Sequence, residues 1–136
     1  MSLVDQSLID ELIKFRKMLH QNPELAFDVD NTSALLAKEL QEAGLEVTTS
    51  IGRNSIVASL NKGSGVNPIG FRADMDALPI TEANTFGHAS NSPGKFHGCG
   101  HDGHSAMLLG AAKLLAQAND LEREIHCIFQ ADEENV

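Results

Sequence analysis

The segment 99–104, with the sequence CGHDGH, gathers a thiol, two imidazoles and a carboxylate within six residues. Thiolate and imidazole are ligands that Zn²⁺ and similar divalent ions accept. Cys99 and His101 are two residues apart and cannot share one face of a helix, but they can converge from an irregular loop, which Gly98 and Gly100 permit. The local pattern fits a metal site, and it fits a polar entry to a helix equally well.

Two acidic clusters accompany this segment. Glu133 and Glu134 resemble the pairing of a general base with a metal ligand, because one carboxylate can take a proton from water while the other holds an ion. An isolated DEE sequence is more often a solvated acidic turn, and the pattern alone favours that interpretation. Asp74 and Asp76, in the sequence DMDALP, are also explained as turn formers. Both glutamates can face one site only where the preceding strand has ended, because neighbouring strand residues point to opposite faces.

The elements that must position these residues follow from apolar periodicity. Spacing of three and four residues predicts three helices, over 5–20, 30–44 and 102–115. Alternation and apolar runs predict four strands, at 45–49, 55–60, 68–74 and 123–130. Polar side chains at 30–33 are expected to cap the second helix, and residues 81–98 are expected to form a long loop. This order predicts an α/β fold with helices packed on a mixed, partly parallel sheet.

The three polar clusters fall where such a fold binds ligands. DMDALP and DEEN each follow a strand and CGHDGH opens a helix, and in open α/β sheets the binding crevice lies beyond the carboxyl ends of the strands. A helix that begins near Asp102 points its positive end at Cys99 and is expected to favour the thiolate that a metal needs. We therefore expect the clusters to meet at one edge of the sheet.

The sequence also predicts roles for four other side chains. His20, near the end of the first helix, is expected to cap carbonyl groups. Cys127, in an apolar strand, is expected to be a buried small hydrophobe. His97 and His104 flank the candidate ligands and are candidates for supporting them, with solvated or packing roles as the alternative.

Composition excludes several classes of protein. The chain has 136 residues, the length of one domain, and its 19 acidic against 10 basic residues give a net charge of −9. Such a balance argues against nucleic acid as a partner, because no basic face is available for phosphates. No apolar run approaches the ~20 residues that span a bilayer, so no membrane partner is expected. Two cysteines without a recognisable export signal indicate a reducing, cytoplasmic location.

Four segments that occur in order carry a resemblance to a known family: FRKMLHQNPELAFD (15–28), FRADMDALPITE (71–82), SPGKFHGCGHDGHSAMLLGAAKLLA (92–116) and IFQADEE (128–134). Together they resemble the amidohydrolases that include hippurate hydrolase and the auxin-conjugate (IAA-amino acid) hydrolases. These enzymes belong to the aminoacylase-like and carboxypeptidase-like dinuclear metallopeptidases. The resemblance covers nearly the whole chain, and it implies a metal-dependent enzyme that hydrolyses N-acyl amino acids or related amides.

The resemblance also implies roles for individual residues. Cys99, His101 and Glu134 are implied as metal ligands, and Glu133 is implied as the general base. Asp76 stands where the wider family has an acidic residue that orients a ligand. Asp102 and His104, which adjoin the ligands in sequence, are expected to support them as well. The implied cofactors are two divalent ions, zinc or manganese, with cobalt or nickel as further candidates.

Relatives of this kind are longer, and they supply two further histidine ligands and an inserted domain that dimerises and covers the substrate. Residues 1–136 are therefore predicted to be the N-terminal portion of the catalytic domain, with an incomplete metal site and little activity alone. The oligomeric state stays open. The alternative is a truncated relative without turnover, acting as a metal-binding or interaction domain. The sequence departs from the usual FQPAEE pattern at Ala131 and Asp132, which adds a charge beside the glutamate pair.

Overall fold

The computed structural model describes residues 4–63 and 66–135. The elements in chain order are α1 (Gln6–Gln21), α2 (Asp30–Glu42), β1 (Glu46–Ile51), β2 (Ser55–Leu60), β3 (Ile69–Asp74), α3 (His101–Gln117) and β4 (Ile125–Gln130). All seven match elements predicted from periodicity, and the segment between β3 and α3 is irregular as expected. Within the described ranges, no helix combines the length and the apolar character needed to cross a membrane.

The four strands form one mixed sheet in the order β1-β2-β4-β3. β1 and β2 form an antiparallel hairpin, β2 and β4 are antiparallel, and β3 and β4 are parallel. The prediction of an α/β fold with a partly parallel sheet is therefore confirmed. In the parallel pair Asp74 lies beside Gln130, so the chain leaves both strands at the same edge of the sheet. A hydrogen bond of 2.9 Å from the Met75 N–H to the Gln130 carbonyl extends this pairing past the strand.

The helices cover one face of the sheet. α2 and α3 contact each other and the strands, and α1 packs on α3. On β4 the side chains of Ile125, Cys127 and Phe129 are buried, whereas Ile128 between them is 37% exposed. Cys127 is therefore a core residue as predicted, but the apolar run of β4 is buried on one face only.

The start of α2 differs from the prediction. No side chain at 30–33 caps this helix; instead the Glu24 carboxylate accepts the backbone N–H groups of Asn31 and Thr32, at 3.2 and 2.8 Å. The carboxylate of a residue outside the helix therefore accepts the free N–H groups of the first turn, which a polar side chain at 30–33 was expected to accept. The predicted end of α2 is confirmed, because Gly44 has a φ of +89°, the left-handed conformation that favours glycine after a helix.

The start of α3 brings the CGHDGH segment to the sheet edge. α3 begins at His101, one residue earlier than predicted, and Gly100 before it has a φ of +97°. A side chain would be strained in that conformation, so the glycine allows the abrupt change from loop to helix. Cys99 is thereby left on the loop while His101 stands in the first turn.

Candidate metal centre

Three segments of the chain meet beyond the ends of β3 and β4. Asp74 ends β3, the Glu133–Glu134 pair follows β4, and His101 opens α3. Both glutamates lie past the strand, as a shared site requires, and both carboxylates come within 3.7 Å of His101. The predicted meeting of the three polar clusters at one sheet edge is borne out by this geometry.

His101 stands at the centre of the cluster, with its side chain only 2% exposed. Its Nδ1 donates a hydrogen bond of 2.8 Å to the backbone carbonyl of Asp76. That bond holds a proton on Nδ1, so in the neutral imidazole Nε2 presents the lone pair. Nε2 faces three carboxylates: it lies 3.5 Å from Oδ1 of Asp74, 3.5 Å from Oε1 of Glu134 and 3.7 Å from Oε2 of Glu133. Lone pairs that face one another in this way favour a cation between them.

The donors fit a divalent ion in type and in spacing. One ligand atom each from Cys99, His101 and Glu134 lies within 4.8 Å of the other two. Two ligands that bind zinc at about 2.1 Å with a tetrahedral angle stand about 3.4 Å apart, which is close to the 3.5 Å between Nε2 of His101 and Oε1 of Glu134. That oxygen is buried and has no hydrogen-bond partner among the described residues. Buried acceptors without partners are costly unless a cation or a donor reaches them.

Asp76 connects the glutamate pair to the imidazole. Its fully buried carboxylate accepts the backbone N–H of Glu133 at Oδ1 and that of Glu134 at Oδ2, each at 3.1 Å. Its backbone carbonyl holds Nδ1 of His101 at the same time. Asp76 therefore contacts both the imidazole and the glutamate segment, and its role as an orienting residue stays a prediction.

Asp74 is a site residue, although its sequence pattern favours a turn former. Its Oδ1 accepts a hydrogen bond of 2.6 Å from Nδ1 of His104, and its Oδ2 lies 3.2 Å from Nη1 of Arg72. Burial acts to raise the pKa of Asp74, but the hydrogen bond from His104 and the charge on His101 outweigh it and lower the pKa below its ordinary value. Asp74, His101 and His104 form a second group whose ligand atoms lie within 4.8 Å of one another. The sequence signal that could have identified Asp74 is its position as the last residue of a predicted strand, two residues before Asp76.

The environment of Cys99 corrects one expectation. The thiol is exposed on its loop at the start of α3, but its pKa is raised and not lowered. The leading cause is its interaction with the Glu134 carboxylate, followed by burial and by the charges of Glu134, Glu133 and Asp74. The nearby carboxylates, which favour a bound cation, raise the pKa of the thiol more than the positive end of the helix lowers it.

The two glutamates differ in exposure. The Glu134 side chain is 22% exposed and the Glu133 side chain 38% exposed. Asp132, the unusual neighbour, has a φ of +58° and accepts a hydrogen bond from the Asn135 side chain. Its backbone N–H bonds the Ala26 carbonyl, so this residue takes part in the turn after β4.

Asp102 and His20 lie behind the cluster and contact each other. Nδ1 of His20 is 2.8 Å from Oδ2 of Asp102, and Nε2 of His20 is 3.0 Å from Oε1 of Glu82. The expectation that His20 caps carbonyl groups is therefore wrong, because carboxylates from distant parts of the chain occupy both of its nitrogens. His97 is buried, with no hydrogen-bond partner for either nitrogen in the described part of the chain, and burial lowers its pKa to about 4.

Comparison with known proteins shows which family the chain resembles. Residues 70–136 match Peptidase family M20/M25/M40. The chain is 44% identical to hippurate hydrolase of Campylobacter jejuni, over 93% of this chain and 33% of that protein. It is also 44% identical to an N-acyl-L-amino acid amidohydrolase of Geobacillus stearothermophilus, over 97% of this chain and 36% of that protein. The chain thus spans about a third of the length of the curated relatives it matches.

A solved structure agrees with this assignment. The crystal structure of a Bacillus subtilis protein, described as a dinuclear metal binding peptidase from the M20 family, has a TM-score of 0.88 and 37% identity. The similarity covers 96% of this chain and 37% of that one. The resemblance predicted from the four sequence segments is confirmed: residues 70–136 match Peptidase family M20/M25/M40, and the chain is similar to curated amidohydrolases over about a third of their length.

Proposed function

We propose that this chain forms part of the active site of a metal-dependent amidohydrolase that cleaves N-acyl amino acids or related, hippurate-like amides. The observation that carries the proposal is the cluster around Nε2 of His101, where three carboxylates and a nearby thiol converge on one lone pair. The substrate class is taken from the names of the relatives, hippurate hydrolase and N-acyl-L-amino acid amidohydrolase.

Cys99, His101 and Glu134 would hold the ion, with Asp76, Asp102 and His104 supporting them. A thiolate, an imidazole and a carboxylate suit zinc, and manganese, cobalt and nickel are further candidates. A pair of ions is proposed because a similar structure is described as dinuclear. When bound, such ions lower the pKa of water and stabilise negative charge on a carbonyl oxygen.

Glu133 is proposed as the general base. Its carboxylate lies at the cluster, 3.7 Å from Nε2 of His101, and is more exposed than that of Glu134. It can therefore take a proton from water at the mouth of the site and return it to the leaving nitrogen. Water thus adds a hydroxyl to the acyl carbon and a hydrogen to the nitrogen, and the products are a carboxylate and an amine.

The chain alone is proposed to hydrolyse such substrates slowly, because its cluster offers three ligands for an ion. Residues 1–136 would then correspond to the N-terminal portion of the catalytic domain. Small amide substrates are the proposed partners, and the two free cysteines are compatible with a cytoplasmic location.

The test compares this chain alone with a chimera that joins it to the part of the Geobacillus amidohydrolase that it does not cover. The intact Geobacillus enzyme is the control, and amine release from N-acyl amino acids is the measurement. We expect the chimera to release amine only with a divalent ion present, and to lose that activity in Glu133→Gln. A chimera that folds and binds metal without any release would contradict the proposal and favour a metal-binding domain without turnover.

A further inference from the structure

A chain of side chains, buried except for the partly exposed Arg16, connects α1 to the first turn of α3. Nε of Arg16 lies 2.7 Å from Oδ2 of Asp102, and Nδ1 of His20 lies 2.8 Å from the same oxygen. Nε2 of His20 lies 3.0 Å from Oε1 of Glu82, in the loop between β3 and α3. We call these four residues, Arg16, His20, Glu82 and Asp102, the Asp102 clamp.

The imidazole of His20 is the centre of the Asp102 clamp. The side chains of His20 and Glu82 are each 3% exposed, and that of Asp102 is fully buried. Each ring nitrogen of His20 lies within hydrogen-bond distance of a carboxylate oxygen, and Nη2 of Arg16 lies 3.3 Å from Nδ1. The imidazole thus bridges two buried carboxylates, and the guanidinium of Arg16 supplies a positive charge beside Asp102.

The loop end of the clamp is fixed by its own hydrogen bonds. Glu82 accepts the backbone N–H of Ser90 at 2.6 Å and the side-chain amide of Asn84 at 2.9 Å. Burial would raise the pKa of Glu82, but these bonds and the contact with His20 lower it to about 2. The carboxylate therefore stays charged and holds His20 from the side opposite Asp102.

Asp102 directly follows His101 in the first turn of α3, where Gly100 provides no side-chain cap. The ring of His101 is fixed from the front by the carbonyl of Asp76. The Asp102 clamp holds the same turn through the side chain of Asp102, whose backbone is bonded directly to that of His101. A shift of this turn would move His101 relative to Glu134, whose spacing suits an ion.

We propose that Arg16, His20 and Glu82 are positioning residues for the candidate metal centre. By holding Asp102 they fix the first turn of α3, and with it the places of Cys99 and His101. The inference deepens the proposed function and rests on it for the metal, whereas the fixing of the turn can be measured without any ion.

The chain contains a matched control for a purely structural effect. Nζ of Lys113, on α3, forms ion pairs with Glu11 of α1 and Glu39 of α2, and its side chain is 16% exposed. These pairs join α3 to α1, as the clamp does, but they lie farther along α3. Lys113→Met should therefore destabilise the fold without moving the first turn of α3.

The experiment compares the wild-type chain with His20→Gln, Asp102→Asn, Glu82→Gln and Lys113→Met. Cobalt titration follows the thiolate-to-cobalt absorption of Cys99, and amide hydrogen exchange follows residues 97–104. We expect His20→Gln and Asp102→Asn to bind cobalt about 10–100-fold more weakly, the usual cost of losing a residue behind a ligand. Exchange in residues 97–104 should accelerate in the same variants while the thermal transition remains cooperative. Lys113→Met should lower the melting temperature and leave both readouts near wild type.

Three outcomes decide the matter. Clamp variants that keep wild-type cobalt affinity and wild-type exchange in residues 97–104 would overturn the inference, and so would an equal loss of affinity in Lys113→Met. A wild-type chain that binds no cobalt would count against the proposed function, and exchange in residues 97–104 then decides the positioning role alone. Where His20→Gln does not fold, the nearly isosteric Asp102→Asn and Glu82→Gln carry the same comparison.

Discussion

Nδ1 of His101 donates a hydrogen bond of 2.8 Å to the backbone carbonyl of Asp76, a residue 25 positions earlier in the chain. The carboxylate of the same aspartate accepts the backbone N–H groups of Glu133 and Glu134. One buried residue, two positions beyond the end of β3, thus contacts the imidazole and both glutamates. The ligand groups of the candidate centre are held together before any ion is bound, which reduces the cost of ordering them on binding.

Asp76→Asn should weaken metal binding more than its small change in shape suggests. One of its two acceptor oxygens becomes an NH₂ group that faces a backbone N–H, so the glutamate segment loses a hydrogen bond and shifts. We expect zinc affinity to fall about 10–100-fold in a competition titration. Asp28→Asn is the matched control, because that carboxylate is 86% exposed. Equal affinity of Asp76→Asn and wild type would contradict this role.

The two cysteines should respond in opposite ways to substitution by serine. Cys99→Ser should greatly reduce zinc and cobalt binding, because a hydroxyl is a poor substitute for a thiolate ligand. Cys127→Ser should keep metal affinity and lower stability, since the thiol is fully buried in the core of β4 and a hydroxyl there lacks a partner. Metal titration and thermal unfolding of both variants check this, and equal loss of affinity in both would place the ion elsewhere.

Glu133 and Glu134 should separate in role. Glu134→Gln should lose more metal affinity than the roughly 10–100-fold that a supporting residue contributes, because an uncharged amide replaces a ligand. Glu133→Gln should keep the metal and, in the chimera, reduce amide hydrolysis by about 10²–10⁴-fold, the usual contribution of a general base. Asp132→Asn is the control. If Asp132→Asn loses amide hydrolysis while Glu133→Gln remains active, Asp132 and not Glu133 is the general base.

The sequence predicted the elements well because periodicity and turn residues act over short distances. The glycine that follows α2, Gly44, and the position of both glutamates beyond β4 follow from such local rules. The candidate ligands could be gathered from their chemical types and from the rule that ligands bind beyond strand ends. The resemblance to a family then distinguished ligands from turn formers, which local pattern did not.

The bonds that support the site could not be predicted in the same way. His20 and Asp102 are 82 residues apart in sequence, and nothing local distinguishes a histidine that caps a helix from one that bridges two distant carboxylates. The sequence around Asp74 indicates only a turn former, because its partners His101 and His104 come from another element. The raised pKa of Cys99 likewise depends on acids that only the folded chain brings close.

Glu24→Ala should destabilise the chain through the start of α2. The Glu24 carboxylate accepts the N–H groups of Asn31 and Thr32 and the side-chain amide of Asn31. Removing a helix cap costs about 1 kcal/mol, within a range of about 0.5–2 kcal/mol. Denaturant unfolding measures the change in the free energy of unfolding. The exposed Glu42→Ala, at the other end of α2, is the control and should stay within about 0.5 kcal/mol of wild type.

Glu82 should make the stability of the chain depend on acidity. Its pKa is lowered in the folded state from an ordinary value of 4.5 to about 2, so the folded protein favours the charged carboxylate. A group with a lowered folded pKa contributes stability that is fully present above the unfolded pKa and is lost as pH falls through the folded pKa. The contribution of Glu82 should therefore be complete above about pH 5 and decline between about pH 4.5 and pH 2. Glu82→Gln removes the titrating group, so the difference in free energy of unfolding between wild type and this variant should shrink over that interval. Denaturant unfolding at a series of pH values measures it, and a difference that stays constant down to pH 2 would show that the carboxylate titrates alike in both states.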